Sequence, residues 1–216
     1  MLTRADQTVP DCLEVLDDIR PLGLTHIGFK DIGVTPEVLA ELARRIKAAG
    51  ATSYMEVVST SREACLRSAR VAREIGVDRL LGGTQVEDVL EILAGSAVRY
   101  LPFPGRPFEH PTKLAGTPAQ VEDDCRRFQA MGCAGVDLLA YRATEADPLD
   151  LVRAARRGTQ GILLVAGSVQ RADQIRDLAA AGADAFTIGS AAFDGSFAPR
   201  MGALRSQLTA VLDACR

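Results

Sequence analysis

The fold is decided by residues 161–191, which read GILLVAGSVQRADQIRDLAAAGADAFTIGSA. This stretch contains an apolar run, a Gly-Ser pair, a segment of helical period that ends at a glycine, and then a second apolar run and Gly-Ser pair. The order predicts a strand over 162–166, a helix over 171–181 and a second strand over 185–188. Two strands joined by a crossover helix form a βαβ unit with parallel strands.

The same alternation extends outward along the whole chain. Strands are predicted over residues 2–4, 25–30, 53–58, 79–81, 98–102, 136–141, 162–166 and 185–188. Helices are predicted over residues 10–19, 36–49, 62–75, 86–93, 118–131, 148–156, 171–181 and 201–214. The residues before three prolines are predicted to cap helix starts, and four glycines are predicted to end helices. They are Thr35, Thr117 and Asp147, and Gly50, Gly76, Gly132 and Gly182.

Eight strand–helix units in 216 residues predict an α/β fold, a compact single-domain (βα)8 TIM barrel over residues 1–216. Each unit then has about 27 residues, which is short but workable for this barrel. A doubly wound sheet is the main competitor. We favour the barrel because no GxGxxG motif opens the first helix and because the last two units carry paired Gly-Ser turns.

Composition excludes several classes of function. The chain is 47% hydrophobic with a net charge of −3, so it has no excess of positive charge to attract nucleic acid. No apolar run is long enough to cross a membrane, and the first six residues lack a secretory signal's apolar core. We therefore expect a cytoplasmic protein. Five cysteines without CxxC spacing are expected to be reduced.

Two charged residues are predicted at the ends of neighbouring strands. In Ile27-Gly-Phe-Lys30 and Tyr54-Met-Glu56, the alternation directs Lys30 and Glu56 into the barrel. Adjacent parallel strands lie about 4.8 Å apart, so these side chains are expected to touch. Desolvation would lower the pKa of Lys30, allowing it to act as a general base or to form a Schiff base, with Glu56 as its partner. The alternative is a buried ion pair, or a pair that binds a substrate hydroxyl without chemistry.

The Gly-Ser turns after the last two strands are candidate phosphate sites. At Gly167-Ser168 and Gly189-Ser190, free backbone N–H groups at a helix start can bind a phosphate. The alternative is that these glycines only serve tight turns.

The closing segment resembles that of the phosphate-binding (βα)8 barrels, which include histidine- and tryptophan-biosynthesis isomerases and sugar-phosphate epimerases. The resemblance lies in Val165-Ala-Gly-Ser-Val169 and Ala181-Gly-Ala-Asp-Ala-Phe-Thr-Ile-Gly-Ser-Ala191. It implies phosphate contacts from Gly167, Ser168, Gly189 and Ser190, and it points to no specific member. The paired aspartates or strand-one cysteine of the isomerases are missing, as is the His/Asp metal set of the epimerases. We therefore predict neither a metal nor a redox cofactor.

Five further residues are weaker candidates. Asp137 is predicted to face inward as a catalytic group, or as a hydrogen-bonded residue within the barrel, with Tyr141 on the same face. Asp31 is a candidate substrate ligand or a turn cap. His110 lies in a long connection, residues 103–116, which is either a lid or a solvated excursion. Arg4 could give the phosphate a second charge.

Three hypotheses follow. The first is an isomerase, epimerase or carbon–carbon lyase acting on a small phosphorylated, carbohydrate-like metabolite. The second is a phosphometabolite-binding regulator without turnover. The third is an interaction protein whose glycines are purely structural. The sequence favours the first, with no nucleic-acid or membrane partner, and it allows a homo-oligomer.

Overall fold

Short parallel strands alternate with helices along the chain, as the glycine-punctuated repeat predicts. The computed structural model describes residues 1–216. The strands are β1 (Thr3–Arg4), β2 (Gln7–Thr8), β3 (His26–Lys30), β4 (Thr52–Glu56), β5 (Arg79–Leu81), β6 (Arg99–Leu101), β7 (Arg106–Phe108), β8 (Lys113–Ala115), β9 (Gly135–Leu138), β10 (Ile162–Val165) and β11 (Ala185–Phe186). The helices are α1 (Cys12–Ile19), α2 (Pro36–Ala48), α3 (Arg62–Ile75), α4 (Val86–Leu93), α5 (Pro118–Ala130), α6 (Pro148–Gly158), α7 (Ala172–Ala181), α8 (Ser190–Phe193) and α9 (Leu204–Ala214).

Backbone hydrogen bonds close the strands into a (βα)8 barrel. One sheet runs β3-β4-β5-β6 and another runs β9-β10-β11, all parallel. The N–H of Asp137 donates to the carbonyl oxygen of Pro102 at 2.9 Å, which joins the two sheets on one side. On the other side, Leu2 N donates to Gly28 O at 2.7 Å and the Met1 amine to Ile188 O at 2.8 Å. The predicted fold class is therefore confirmed.

Local sequence signals explain most helix boundaries. Asp147 accepts hydrogen bonds from the first-turn amides of α6, and Thr117 forms a reciprocal capping box with Gln120. Thr35 is the N-cap of α2 as predicted, with Pro36 at the first helical position, although its side chain accepts no capping hydrogen bond. Gly76 and Gly182 end α3 and α7 in the left-handed conformation.

The core is one continuous cluster of 48 buried residues between the barrel and its helices. Outward-facing strand residues such as Phe29 and Met55 are fully buried beneath the helices, which leaves their inward-facing neighbours to form the site. No helix combines the length and the apolar character that a bilayer crossing requires.

The structure corrects three details. The strand predicted over 136–141 ends at Leu138, and the chain turns into a short 3-10 helix, Ala140–Arg142. Strand β1 continues into an antiparallel hairpin with β2, and β7 pairs with β8 inside the long connection. That connection is not a solvated excursion, because Leu114 on β8 is buried in the core.

Candidate active site

Lys30 stands at the carboxyl end of β3, where its side chain is only 7% exposed. Its Nζ lies 3.0 Å from Oε1 of Glu56, which is directly opposite in the β3–β4 register. The predicted contact is therefore present. Nζ also donates to Oδ1 of Asp6 at 3.0 Å. The lysine is held between two carboxylates, Glu56 from β4 and Asp6 from the turn between β1 and β2.

Asp6 reaches Lys30 from the turn of the β1–β2 hairpin. Ala5 and Asp6 both have positive φ, 48° and 59°, which is the geometry of a tight two-residue hairpin turn. Such backbone is strained for residues other than glycine, and strain of this kind concentrates at functional sites. The hairpin is tied to β3 through Thr8, whose hydroxyl both accepts from Lys30 N at 2.9 Å and donates to Lys30 O at 2.8 Å.

Arg142, at the end of the 3-10 helix that follows β9, completes the cluster. Its guanidinium binds Asp6 in a bidentate manner, with Nη1–Oδ2 of 3.0 Å and Nη2–Oδ1 of 2.9 Å. Nη1 also donates to the carbonyl oxygen of Thr112 at 3.2 Å. The sequence pattern predicts no role for Arg142 or Asp6. Both follow the carboxyl ends of barrel strands, which is the signal that could have found them.

The cluster corrects the expectation that burial leaves Lys30 with a lowered pKa. Burial acts in that direction, but the charges of Glu56 and Asp6 outweigh it and raise the pKa of Lys30 above its ordinary value. For Asp6, burial by itself raises the pKa. Hydrogen bonds from Arg142 and the charge of Lys30 outweigh burial, so the net pKa of Asp6 lies well below its usual range. Lys30 is therefore an ammonium ion and Asp6 a carboxylate at neutral pH.

Asp137 lies inside the barrel on β9 and is fully buried. Neither of its carboxyl oxygens has a hydrogen-bond partner. Burial first, and then the negative charge of Glu56, raises the pKa of Asp137 well above its ordinary value. Burial therefore favours the protonated form of this carboxyl group, which does not line the cavity at the barrel mouth.

A cavity of about 170 Å³ opens at the mouth of the barrel. It joins the charged cluster to both Gly-Ser turns. Its lining includes Asp6, Lys30, Glu56, Arg142, Gly167, Ser168, Gly189 and Ser190. The backbone N–H groups of Gly167, Ser168 and Gly189 have no acceptor within the protein. These donors are free to bind a ligand.

Gly167 and Gly189 allow close approach at this mouth. Gly167 has a φ of +78°, and a Cβ there would lie 2.5 Å from Nε of Arg142. A Cβ at Gly189 would lie 2.4 Å from the hydroxyl of Thr3. The first glycine therefore makes room for the arginine that binds Asp6, a role that neither the predicted phosphate contact nor the tight-turn alternative includes.

Four predicted substrate ligands lie outside the cavity. Arg4 is exposed and pairs with Asp194 at 2.6 Å. Asp31 accepts from Val58 N at 3.0 Å and from the Ser68 hydroxyl, so it connects the loop after β4 to α3. The remaining two are Tyr141 and His110. Tyr141 lies in the 3-10 helix, because β9 ends at Leu138, and the inward orientation predicted for it is wrong. His110 is exposed in the turn between β7 and β8.

No group of three His, Cys, Asp or Glu side chains has an arrangement that could hold a metal ion. Asp6 and Glu56 are instead directed at the ammonium group of Lys30. The arrangement can bind an anion beside Arg142 and can exchange or stabilise a proton between Lys30 and Glu56.

Comparisons with known proteins define the class through the fold alone. No protein-family model matches the chain, and no curated protein matches it in sequence. Orotidine 5'-phosphate decarboxylase from Pyrococcus horikoshii is 15% identical, with a TM-score of 0.65 over 95% of this chain and 93% of that one. The Amycolatopsis orientalis BexX/CysO complex contains a chain that is 18% identical, with a TM-score of 0.63 over 97% of this chain and 87% of that one. A tryptophan synthase alpha-subunit mutant from Pyrococcus furiosus is 16% identical, with a TM-score of 0.60 over 84% of this chain and 75% of that one. The protein is similar to these structures as a (βα)8 barrel.

Proposed function

We propose that this protein is an enzyme acting on a small phosphorylated, carbohydrate-like metabolite, as an isomerase, an epimerase or an aldolase-type lyase. One observation carries the proposal. A single cavity connects the Gly-Ser turns after β10 and β11 with the Lys30–Glu56 pair. A substrate whose phosphate lies at the turns would therefore present its carbon skeleton to the pair.

The phosphate end of the cavity combines free N–H donors with a positive charge. The unpaired amides of Gly167, Ser168 and Gly189 supply the donors, and Arg142 lies directly against Gly167. Arginine binds phosphate oxygens through two parallel hydrogen bonds, as it binds Asp6 in this structure. We therefore add Arg142 to the phosphate contacts that the sequence indicates.

The other end supports proton transfer next to a carbonyl. Glu56 is the group placed to take a proton from carbon, and the Lys30 ammonium is placed to stabilise the enolate oxygen that forms. Isomerisation and epimerisation next to a carbonyl pass through such an enolate. Retro-aldol cleavage reaches it when the base takes the proton of the β-hydroxyl group and the electrons of the breaking carbon–carbon bond form the enolate. The raised pKa of Lys30 disfavours the free amine that a Schiff base requires.

The size of the cavity limits the substrate. At about 170 Å³ it has room for a phosphoryl group and a short carbon chain. Sites for drug-sized or cofactor-sized ligands are larger, on the order of 300–1,000 Å³. A phosphorylated sugar of few carbons fits better than a nucleotide.

A second candidate is a phosphometabolite-binding regulator without turnover. The observation in its favour is that Lys30, Asp6 and Arg142 satisfy one another's charges and hydrogen bonds. Such a cluster is complete as a structural unit. Both candidate functions use the phosphate site, and they differ only in whether the Lys30–Glu56 pair carries out a reaction.

Triose and pentose phosphates test the proposal directly. Calorimetry would measure their binding together with that of inorganic phosphate, and proton NMR in D2O would follow isomerisation, cleavage or exchange at carbon. We expect Glu56→Gln to abolish the reaction while phosphate affinity changes less than about threefold. Arg142→Gln is expected to weaken phosphate binding by about tenfold or more.

The outcomes separate the candidates. Binding without turnover or carbon-bound exchange for any of these substrates identifies the regulator. Full activity in Glu56→Gln overturns the assignment of the pair, and absence of binding at millimolar phosphate overturns the phosphate site. Borohydride treatment with a keto-sugar phosphate is expected to leave Lys30 unmodified, whereas a reduced adduct there would show Schiff-base chemistry.

A further inference from the structure

A second and larger cavity lies at the opposite end of the barrel. It has a volume of about 540 Å³ and is bounded by the amino ends of barrel strands, by β11, and by helices α7 and α9. Most of its lining is apolar. Phe186, Ile188, Leu208 and Leu212 line it and are only partly buried. Protein interiors rarely leave apolar space larger than a water molecule unfilled, so the volume is suited to an apolar ligand.

One wall of this cavity is polar. The hydroxyl of Tyr54 is hydrogen-bonded to Nδ1 of His26 at 2.9 Å and accepts from Nη1 of Arg79 at 2.6 Å. The Arg79 guanidinium also lies 5.1 Å from the centre of the Tyr54 ring. All three side chains line the cavity.

The charge of Arg79 has no carboxylate partner. Asp78, its neighbour in sequence, is bonded to Ser53 and faces Lys47 at 3.9 Å. Asp184, the one acid in the cavity lining, pairs instead with Arg156 at 2.9 Å. Burial first, and then the charge of Arg79, lowers the pKa of His26, so the histidine adds no second charge. The Arg79 guanidinium, which makes no salt bridge, therefore faces a large apolar volume.

We propose that this cavity binds an amphipathic carboxylate, with the carboxylate on Arg79 and the hydrocarbon chain between β11 and helices α7 and α9. The assignment rests on charge complementarity. A neutral apolar ligand would leave the guanidinium without a salt-bridge partner, whereas a carboxylate gains charge-assisted hydrogen bonds there. The two cavities share Met1, Thr187 and Ile188 in their linings, but Arg79 lines only this one, and the Gly-Ser turns and the Lys30–Glu56 pair line only the other.

Decanoate and 1-decanol form a matched pair of probes, since they share a chain and differ in charge. Binding to the full-length protein would be measured by calorimetry and by displacement of a fluorescent fatty acid. We expect decanoate to bind at least about tenfold more tightly than 1-decanol. Arg79→Gln should abolish that preference, while Arg79→Lys should retain much of it.

Arg99 provides the control. Arg99 lies opposite Arg79 in the register of β5 and β6 but does not line the cavity. Arg99→Gln should therefore leave decanoate binding unchanged. Ala179→Phe, which places a ring into the cavity from α7, should block both probes. Circular dichroism would show that each variant is folded. Equal decanoate affinity in folded Arg79→Gln and wild type, or no decanoate binding at millimolar concentration, would overturn the proposal.

Discussion

At the scale of single residues, the barrel mouth is a chain of alternating charges. Arg142 contacts Asp6, Asp6 contacts Lys30, and Lys30 contacts Glu56. Burying a charged group costs several kcal/mol, and this cost is offset only while its oppositely charged neighbours remain in place. The cluster therefore stabilises itself as a whole, and loss of a central member exposes its neighbours to repulsion.

Replacement of Lys30 with methionine tests this dependence. Lys30→Met retains most of the side chain's volume but leaves Asp6 and Glu56 buried together without a positive charge between them. We expect the free energy of unfolding at pH 7 to fall by about 3–5 kcal/mol in urea titrations. Lys47→Met is the control. Its ammonium is about half exposed, so a loss below about 1 kcal/mol is expected. Similar losses in the two variants would contradict the cluster's role.

At the scale of elements, the turn after β10 holds Arg142 in place. Gly167→Ala adds a methyl group 2.5 Å from Nε of Arg142, at a backbone φ of +78° that disfavours alanine. We expect Arg142 to be displaced from Asp6 and calorimetry to show phosphate affinity reduced by about tenfold or more.

Gly202→Ala is the matched control for that turn. Gly202 has open space around its Cβ position and no left-handed backbone, so phosphate affinity should be unchanged. If Gly167→Ala binds phosphate as tightly as Gly202→Ala does, Arg142 is not a phosphate ligand held by the glycine.

The elements also show what the sequence can and cannot predict. The helical spacing of apolar residues, together with the residues that mark helix ends, predicts α3 and α4 at the correct residues because these signals are local. The β1–β2 and β7–β8 hairpins have strands of two or three residues, too short for alternation to appear. Tyr141 was predicted to face inward because its apolar alternation continues past the end of β9.

In the candidate site, too, the features that depend on local sequence are predictable and those that depend on tertiary structure are not. Lys30 and Glu56 were predictable because each ends a strand with clear alternation, and their neighbouring strands fix the distance between them. The pKa of Lys30 was predicted in the wrong direction because Asp6, the second carboxylate, comes from a hairpin turn that the sequence pattern does not reveal. A pKa depends on every charge within reach, including those brought in by tertiary structure.

At the scale of the whole molecule, buried carboxyl groups make stability depend on pH in two opposite ways. Asp6 has a lowered pKa, so its stabilising effect is present above the unfolded pKa of about 3.9 and is lost as the pH falls toward its folded value. Asp137 has a raised pKa, so the folded protein retains a proton that the unfolded chain releases. Its contribution is fully present below about pH 3.9 and is lost as the pH rises toward its folded value.

Asp137→Asn isolates the second effect, because the amide has nearly the same shape and does not ionise. As the pH rises from about 4 toward the folded pKa of Asp137, wild-type stability should contain a term that falls by up to about 1.4 kcal/mol per pH unit, and the variant should lack that term. Urea unfolding across pH 4–7 would measure the difference in slope, which is independent of any constant cost of the amide. Asp123→Asn is the control, since Asp123 is 77% exposed and should leave the slope unchanged. Parallel curves for wild type and Asp137→Asn would mean that the buried carboxyl ionises within the fold.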